Sequence, residues 1–450
     1  MAATGSLLDP LFRTSEMAAV FDDRARLQGM LDFEAALARA EAAHGLVPAK
    51  AASAITAACD AATYDLHALA AATAKAGNPA IPMVRTLTAE VARRDTAAAT
   101  FVHWGATSQD AIDTGLVLQI RRAHPLLDTD LDRLEQTLAT LVERHTATVM
   151  LGRTLLQQAV PITFGLKAAA WLSATLRVSR RLTEAAERAR VLQFGGAAGS
   201  LSSLGGRGLD VAATLARELG LDLPDLPWHG HRDRLVDLAS ALGLVAGTLG
   251  KLGRDVSLLM QNEVAEVREP LEAGEGGSST MPHKQNPVGC GVALAAATRV
   301  PGLIATLLTA MPQEHERGLG GWHAEWETIP EIFGLVAGAA RAMTETFERL
   351  EVDAARMREN LDRTRGLVMA EGVMLALAER IGRREAHAAI EAAVHRSRAT
   401  GQSFADVLKS DAKITPWIGP SDLDRLLDPE HHLGEAATFV ARVLVTRTKP

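Results

Sequence analysis

The feature that most constrains this chain is a long segment, residues 235–267, in which apolar side chains recur at alternating intervals of three and four residues. The residues at these intervals are Leu235, Leu238, Leu242, Val245, Leu249, Leu252, Val256 and Leu259. This spacing, sustained for more than three heptads, predicts a helix with one continuous packing seam. A helix over the whole segment would be about 50 Å long, at ~1.5 Å per residue.

The other faces of this predicted helix are also apolar or small in its first half. They carry Ala239, Ala241, Gly243, Ala246 and Gly247. A helix of this kind must be buried on several sides. A subunit of 450 residues cannot easily surround a rod of that length, so the segment predicts a helix bundle made by several subunits. A single long amphipathic helix at the surface is the alternative.

Most of the remaining chain also has the composition of helices, since alanine, leucine and arginine dominate and β-branched runs are rare. The fold class is therefore predicted to be all-α. Further helices are expected from near Asp110, from Pro161 to about Gln193, and after Pro287. A glycine-rich loop is expected at 194–206.

The length predicts roughly two to four domains. We place boundaries near residues 110 and 350. This gives an N-terminal helical domain at 1–110, a central domain of long helices at 111–350, and a C-terminal helical cap at 351–450. The central domain contains a polar loop, and beyond residue 350 the chain becomes more charged and conventionally amphipathic.

The composition argues against several classes of function. The net charge is −7 and no long basic run occurs, so no nucleic-acid partner is expected. Two cysteines fit a reducing compartment. The N-terminus lacks the apolar stretch of a secretory signal, and the uncharged segment 238–250 is short of the ~18 residues that span a membrane. We therefore expect a cytoplasmic protein with no membrane partner.

The polar segment most typical of a functional site is 274–287, with the sequence GEGGSSTMPHKQNP. Its glycines and serines predict a mobile loop with free backbone N–H groups, and Lys284 adds a positive charge. An anionic substrate would be bound by such groups. The loop is neither a phosphate-binding GK[ST] motif nor a GxSxG nucleophile turn. A simple glycine-serine linker is the alternative.

Four other polar segments have structural alternatives. Residues 103–110 could have no role beyond capping a helix. Residues 152–158 could have no role beyond joining two helices. Histidine and glutamate are dense at 313–327, but no HExxH spacing supports a metal site there. Residues 229–234 are better explained as a hydrogen-bonded start of the seam helix than as substrate contacts.

Residues 277–287 resemble the signature of the fumarase/aspartase superfamily, GSSxMPxKxNP, at every defined position. Residues 107–110 and 152–154 resemble the other two signature regions, in the same order, and the similarity extends over nearly the whole chain. The resemblance implies an all-α subunit of three domains. It also implies a homotetramer with a 20-helix core, in which three subunits supply the three regions of each active site.

Within this superfamily, the sequence is most similar to the family of bacterial 3-carboxy-cis,cis-muconate cycloisomerases. The similarity is carried by residues 23–48, 101–119, 191–201, 228–240 and 309–328. It implies an enzyme that closes a carboxylate of a small tricarboxylate onto a neighbouring double bond, in protocatechuate catabolism. The product would be a carboxymuconolactone.

The resemblance also implies roles for individual residues. Ser278 would exchange a proton with substrate carbon, although Ser279 could take this role on sequence grounds alone. The substrate carboxylates would be bound by Thr107, Ser108, Thr154, Gln157, Lys284, Asn286 and Arg317. His103 is a weaker candidate for positioning the substrate or supporting the loop. The chemistry requires neither a metal nor a redox cofactor.

Three positions depart from the related adenylosuccinate lyases. Leu155 and Asn78 stand where those enzymes usually have histidines, and Trp326 stands where they have a later arginine. An amine leaving group needs a general acid, whereas a carboxylate, whose conjugate acid has a pKa of ~4, leaves without protonation. These departures favour lactone chemistry over elimination. An adenylosuccinate-type lyase releasing fumarate, a cycloisomerase of another substituted muconate, and a non-catalytic scaffold remain alternatives.

Overall fold

The computed structural model describes residues 7–271 and 274–447. These residues form mainly α-helices, as predicted. In chain order the helices are α1 (Asp9–Phe12), α2 (Ser15–Val20), α3 (Asp23–Ala43), α4 (Ala49–Thr56), α5 (Leu66–Ala76), α6 (Ala80–Arg94), α7 (Ser108–Arg144), α8 (Phe164–Ala189), α9 (Gly208–Leu219), α10 (Asp233–Leu259), α11 (Val288–Ala310), α12 (Gly321–Arg349), α13 (Ala354–Asp362), α14 (Ala370–Ile381), α15 (Arg383–Thr400), α16 (Phe404–Lys409), α17 (Pro420–Leu426) and α18 (Ala436–Arg447).

Short 3-10 helices and two small antiparallel sheets interrupt the described helices. The 3-10 helices are Ala61–Thr63, Ala98–Phe101, Ser202–Arg207, Leu367–Met369 and Pro429–His432. The strands are β1 (Val149–Thr154), β2 (Gln157–Thr163), β3 (Val267–Arg268) and β4 (Glu351–Val352), with β1 paired to β2 and β3 to β4. The segment expected to join two helices is thus the turn of a β-hairpin.

The seam helix is α10, and its packing confirms the periodicity. None of the eight seam side chains is more than 4% exposed. The predicted extension to residue 267 is wrong, because α10 ends at Leu259. Glu266 explains the difference: its buried carboxylate accepts hydrogen bonds from Arg153 and Asn360, and leaving it without these partners would be unfavourable.

The small residues of α10 allow α11 to approach closely. A Cβ added at Gly243 would lie 2.3 Å from Ile304 Cδ1, and one added at Gly250 would lie 2.4 Å from the Cβ of Ala297. Real Cβ atoms essentially never come so close, so a larger side chain at Gly250 would push α11 away, whereas one at Gly243 would displace the end of the Ile304 side chain. Gly243, one of the small residues that suggested burial on several sides, is therefore a helix-packing position, whereas Gly247 has open space around it.

The second long helix begins later than predicted. Pro161 lies in β2, paired with Leu151, and α8 starts at Phe164. The side chain of Thr163 caps it, since its Oγ1 accepts a hydrogen bond from Leu166 N–H at 3.0 Å. The helix ends at Ala189 rather than near Gln193, because Leu192 N–H donates to the carbonyl of Asp222 outside the helix.

The other expected elements are largely confirmed. The helix expected near Asp110 is α7, which begins at Ser108, and α11 begins at Val288 directly after Pro287. The glycine-rich segment 194–206 is a loop at its start, but its last residues belong to the 3-10 helix Ser202–Arg207.

The chain divides into two compact units, each assembled from separated segments. The first unit comprises the residues up to Leu131, Val178–Gly250 and Val292–Ala342. The second comprises Asp132–Arg177, Lys251–Gly291 and the residues from Met343 onward. In the second unit, α14 to α17 enclose an apolar core around Phe404 and Leu408. The division into three domains at residues 110 and 350 stays a prediction.

Two helices among the described residues are long and apolar enough to cross a membrane, α10 and α11. The sequence analysis considered only part of the first. Core helices of soluble proteins have the same length and composition. In the most apolar 18-residue stretch of each helix, 61% of the stretch is buried in α10, but only 28% in α11. Much of the apolar surface of α11 is therefore not covered by this chain.

Candidate active site

The loop 274–287 belongs to the second unit and is fastened at both ends. Asn286 donates hydrogen bonds to the carbonyl of Gly276 from its backbone N (3.0 Å) and from Nδ2 (2.8 Å). Arg349 Nη1 lies 2.7 Å from Glu275 Oε2. Gly276 has a φ of +56°, and a Cβ there would lie 2.8 Å from the Asn286 carbonyl oxygen. Only glycine allows this close approach of the two ends of the loop without strain. The loop therefore has a defined base.

Ser278 lies in a turn that directs backbone donors at its hydroxyl. Its Oγ accepts hydrogen bonds from the N–H groups of Met281 (3.1 Å) and Thr280 (3.3 Å). Two N–H donors stabilise negative charge on an oxygen, and they lower the free energy of the alkoxide relative to the alcohol. This geometry is compatible with proton transfer by Ser278, and the choice of Ser278 over Ser279 stays a prediction.

Lys284 lies at the edge of a cavity of about 970 Å³ in the second unit. His283 and Asn286 of the loop also line this cavity, as do Asn262 after α10 and the paired side chains Arg268 and Glu351. Among the described residues, Lys284 has no carboxylate partner within ion-pair distance. Its charge is therefore available to an anionic ligand.

The predicted residues Thr154 and Gln157 face each other at the turn end of the β-hairpin. Both are exposed. Between them, Leu155 and Leu156 have positive φ values of 50° and 62° and are 97% and 80% exposed. Below the turn, Arg153 Nη2 lies 2.6 Å from Glu266 Oε1. Arg153 of this motif is thus structural, whereas the residues of the turn are free to contact a ligand.

The remaining predicted residues belong to the first unit, and Asp110 organises them. Its buried carboxylate accepts hydrogen bonds from Thr107 N (3.0 Å), Gly195 N (3.0 Å), Gly196 N (2.9 Å) and His229 Nε2 (2.7 Å). These bonds fix the backbone before Ser108 at the start of α7. Capping chemistry is therefore present at 103–110, and it holds the hydroxyls of Thr107 and Ser108 half-exposed.

Arg317 is connected to the same segment. Its Nε donates to Gln109 Oε1 at 3.0 Å, and its Nη2 donates to the carbonyl of Ala197 at 3.1 Å. Gln109 is itself buried and donates from Nε2 to the His229 carbonyl and to Asp113 Oδ2, each at 3.0 Å. The structure thus brings two sequence-distant candidates, Arg317 and the 107–109 segment, into one hydrogen-bonded group.

The sequence analysis missed a buried ionic network beneath this group. Arg232 Nη1 lies 2.7 Å from Asp113 Oδ2, and its Nη2 lies 2.5 Å from Glu325 Oε2. Trp322 Nε1 donates to Asp113 Oδ1 at 2.9 Å. Burial would raise the pKa of Asp113, but the Arg232 guanidinium outweighs it and lowers that pKa. The sequence marked 229–234 and 313–327, which contain Arg232 and Glu325, as polar segments, but it did not indicate their pairing through Asp113.

Residues 229–234 do form a hydrogen-bonded start of α10, since the Arg232 carbonyl accepts from Leu235 N and Val236 N, and the network adds a further role. They do not simply cap α10: His229 bonds to α7, and Arg232 joins α7 to α12. The sequence singled out His103 as a candidate but did not indicate its partner. His103 Nδ1 lies 2.5 Å from Oε1 of Glu34, a buried residue of α3.

The positions that depart from the adenylosuccinate lyases have local roles. Asn78 Oδ1 accepts a hydrogen bond from Ile81 N at 3.1 Å, at the start of α6. Trp326 packs edge-on against Trp322, with ring centroids 4.9 Å apart. Neither side chain can replace a histidine acid or an arginine. Within residues 7–271 and 274–447, no group of three or more His, Cys, Asp or Glu side chains could hold a metal ion.

Comparison with known proteins gives consistent results. A family model described as "Lyase" matches residues 12–302, and one described as "Adenylosuccinate lyase C-terminus" matches residues 366–443. A 3-carboxy-cis,cis-muconate cycloisomerase of Pseudomonas aeruginosa is 58% identical over 97% of this chain and 95% of its own. One of Bradyrhizobium diazoefficiens is 51% identical over 98% of both chains.

A solved structure shows the same similarity in three dimensions. The 3-carboxy-cis,cis-muconate lactonizing enzyme from Pseudomonas putida superposes with a TM-score of 0.93, at 54% identity and over 98% of both chains. The match extends over all three signature regions identified from the sequence. The chain therefore belongs to the fumarase/aspartase superfamily of lyases.

Proposed function

We propose that this chain is a cycloisomerase that converts 3-carboxy-cis,cis-muconate to a carboxymuconolactone in the catabolism of aromatic compounds. The relatives named above, with at least 51% identity over nearly the full chain, support this reaction. The single structural observation that carries the proposal is the tip of the β-hairpin. It exposes Leu155, at the position where the adenylosuccinate lyases, which release an amine, usually have a histidine.

The reaction is an intramolecular addition in which no electrons are exchanged with a cofactor. One substrate carboxylate oxygen forms a bond to a diene carbon, the π bond of that C=C breaks while its σ bond remains, and the π electrons move so that charge accumulates on another carboxylate. Ser278 then delivers a proton to the adjacent carbon. In the reverse direction, Ser278 removes that proton and the lactone oxygen leaves as a carboxylate. The two N–H groups directed at Ser278 Oγ support this role.

Substrate carboxylates would be bound by side chains that different subunits supply. Thr107, Ser108 and Arg317 belong to the first unit, and their hydroxyl and guanidinium groups are suited to anions. In the second unit, Lys284 provides a charge in the same loop as Ser278, and Thr154 and Gln157 provide donors at the hairpin. Asn286 contributes mainly by closing the base of the loop, since its Nδ2 already donates to Gly276.

We also propose a cytoplasmic homotetramer whose active sites are shared between subunits. The apolar surface that α11 leaves uncovered supports this assembly, and Val288 and Leu308 of that helix are exposed. On α10, Leu244 is exposed and Gly247 faces open space. Exposed apolar faces on two long helices are what a multi-subunit helix bundle requires.

Purified protein mixed with 3-carboxy-cis,cis-muconate tests the proposed function. We expect the absorbance of the conjugated diene to disappear, because ring closure breaks the conjugation. Adenylosuccinate and a differently substituted muconate serve as parallel substrates. Fumarate release from adenylosuccinate without turnover of the muconate would establish the lyase alternative instead. Turnover of only the other muconate would change the substrate but keep the chemistry.

The variant Leu155→His tests the argument about the leaving group. We expect lactonisation to fall by less than about tenfold, because an expelled carboxylate with a conjugate-acid pKa of ~4 needs no general acid. The measurement is kcat for the muconate between pH 6 and 9, and Leu156→His is the matched control at the same hairpin turn. A large gain in kcat, governed by protonation of the new histidine, would contradict the argument.

A further inference from the structure

Glu34 and His103 form a pair that the proposed mechanism does not yet use. The carboxylate is 1% exposed, and its Oε1 lies 2.5 Å from His103 Nδ1. The His103 backbone has a φ of 58°, which is uncommon outside glycine and is typical of functional segments. Among the described residues, the other ring nitrogen, Nε2, has no hydrogen-bond partner. One edge of the imidazole is thus fixed, and the other edge is free.

We propose that Glu34 is a positioning residue that orients His103 and holds it as an imidazolium, whose free Nε2–H binds a carboxylate of the substrate. The inference rests on the proposed function, because a tricarboxylate supplies the anion that this cation would contact. His103 lies four residues before Thr107 and so belongs to the same signature region.

The charges around the ring support the protonated form. Burial would lower the pKa of His103, but the ion pair and hydrogen bond with Glu34 and the more distant charge of Asp110 together raise it. A buried carboxylate that accepts from Nδ1–H also fixes the ring plane and leaves Nε2–H pointing away from α3. A His103 that donates a hydrogen bond from Nε2–H without transferring its proton is compatible with the proposed chemistry, which assigns the proton transfer to Ser278.

A second carboxyl on the same helix provides a matched control. Glu41 is also fully buried, and neither of its oxygens has a hydrogen-bond partner among the described residues. Burial, with the nearby charge of Glu34, raises the pKa of Glu41 to about 9. Glu41 is therefore uncharged at neutral pH, and Glu41→Gln changes neither its charge nor its size appreciably.

The test compares Glu34→Gln with Glu41→Gln in steady-state kinetics between pH 6 and 9. For Glu34→Gln we expect KM for the muconate to rise roughly tenfold or more, while kcat changes by less than about threefold. Loss of the anion lowers the pKa of His103, so activity should decline at a lower pH than in the wild type as the pH rises. Glu41→Gln should match the wild type in both respects.

A double-mutant cycle distinguishes positioning from a general structural effect. His103→Asn removes the cation and keeps a residue type that tolerates positive φ. If Glu34 acts through His103, Glu34→Gln should have no further effect on KM in the His103→Asn background. Multiplicative effects of the two substitutions would overturn the proposal. His103→Asn with unaltered KM would overturn it too, even if Glu34→Gln fails to fold.

A binding measurement separates this inference from the proposed reaction. Tricarballylate, a saturated tricarboxylate, is titrated by calorimetry at pH 6.5 and 8.5, which requires no turnover. We expect the wild type to bind it roughly tenfold more tightly than His103→Asn at pH 6.5. Equal affinities would overturn the role of His103, whereas the wild-type rate with the muconate alone decides the proposed reaction.

Discussion

Ser278→Ala should reduce kcat for the muconate by about 10²–10⁴-fold, the usual effect of removing an acid/base group that acts in the transition state. KM should change little, because the proposed carboxylate ligands remain. We expect this loss because two N–H groups are directed at Ser278 Oγ in the wild type, where they would stabilise the serine alkoxide. The alanine variant has no oxygen for them to stabilise. Initial rates of diene disappearance under saturating substrate provide the measurement.

Ser279→Ala is the control for this experiment, since it removes the neighbouring hydroxyl from the same loop. We expect its kcat to stay within about threefold of the wild type. Light scattering should give the mass of four chains for both variants, which separates a chemical defect from a defect of assembly. Nearly normal kcat in Ser278→Ala, or a larger loss in Ser279→Ala, would refute the assignment of Ser278.

Arg232→Met should lower the free energy of unfolding by about 3–5 kcal/mol, because it removes the cation shared by two buried carboxylates. Arg232 is among the largest fully buried side chains, and no other cation of the described residues lies within ion-pair distance of Asp113 or Glu325. We also expect a weaker affinity for substrate, since Asp113 accepts from Gln109, which in turn holds Arg317.

Urea denaturation at a fixed protein concentration measures this effect, because the stability of an oligomer depends on concentration. The matched control is Arg188→Met, which breaks the exposed ion pair with Asp237 and should cost at most about 1 kcal/mol. Equal destabilisation by the two substitutions would show that the buried network does not have the stabilising role assigned to it.

The helical elements could be predicted from the sequence wherever burial and periodicity agree. The seam of α10 is one example, and the starts of α7 and α11 after polar loops are others. The errors lie where a distant partner decides the local structure. Glu266 ends α10 because Arg153 and Asn360 bind its carboxylate. Pro161 pairs within a hairpin, although its residue type also suits the first turn of a helix.

The candidate site shows the same limit. The loop serine, the lysine and Arg317 could be found from motifs, because their residue types and order are distinctive. Glu34 and Asp113 could not, since each is one acidic residue in an ordinary helical segment. Their importance arises from contacts 69 residues away at His103 and 119 residues away at Arg232. Burial of a charge becomes visible only when the fold is known.

Asp110 has a consequence for how the protein is made. The donors that satisfy its carboxylate come from Thr107, Gly195, Gly196 and His229, so the last of them is synthesised long after the first. Until then a carboxylate destined for the interior has to stay hydrated. The turn that carries Thr107 and Ser108 at the start of α7 therefore cannot reach its final hydrogen-bonded structure until more than half of the polypeptide has emerged from the exit tunnel of the ribosome.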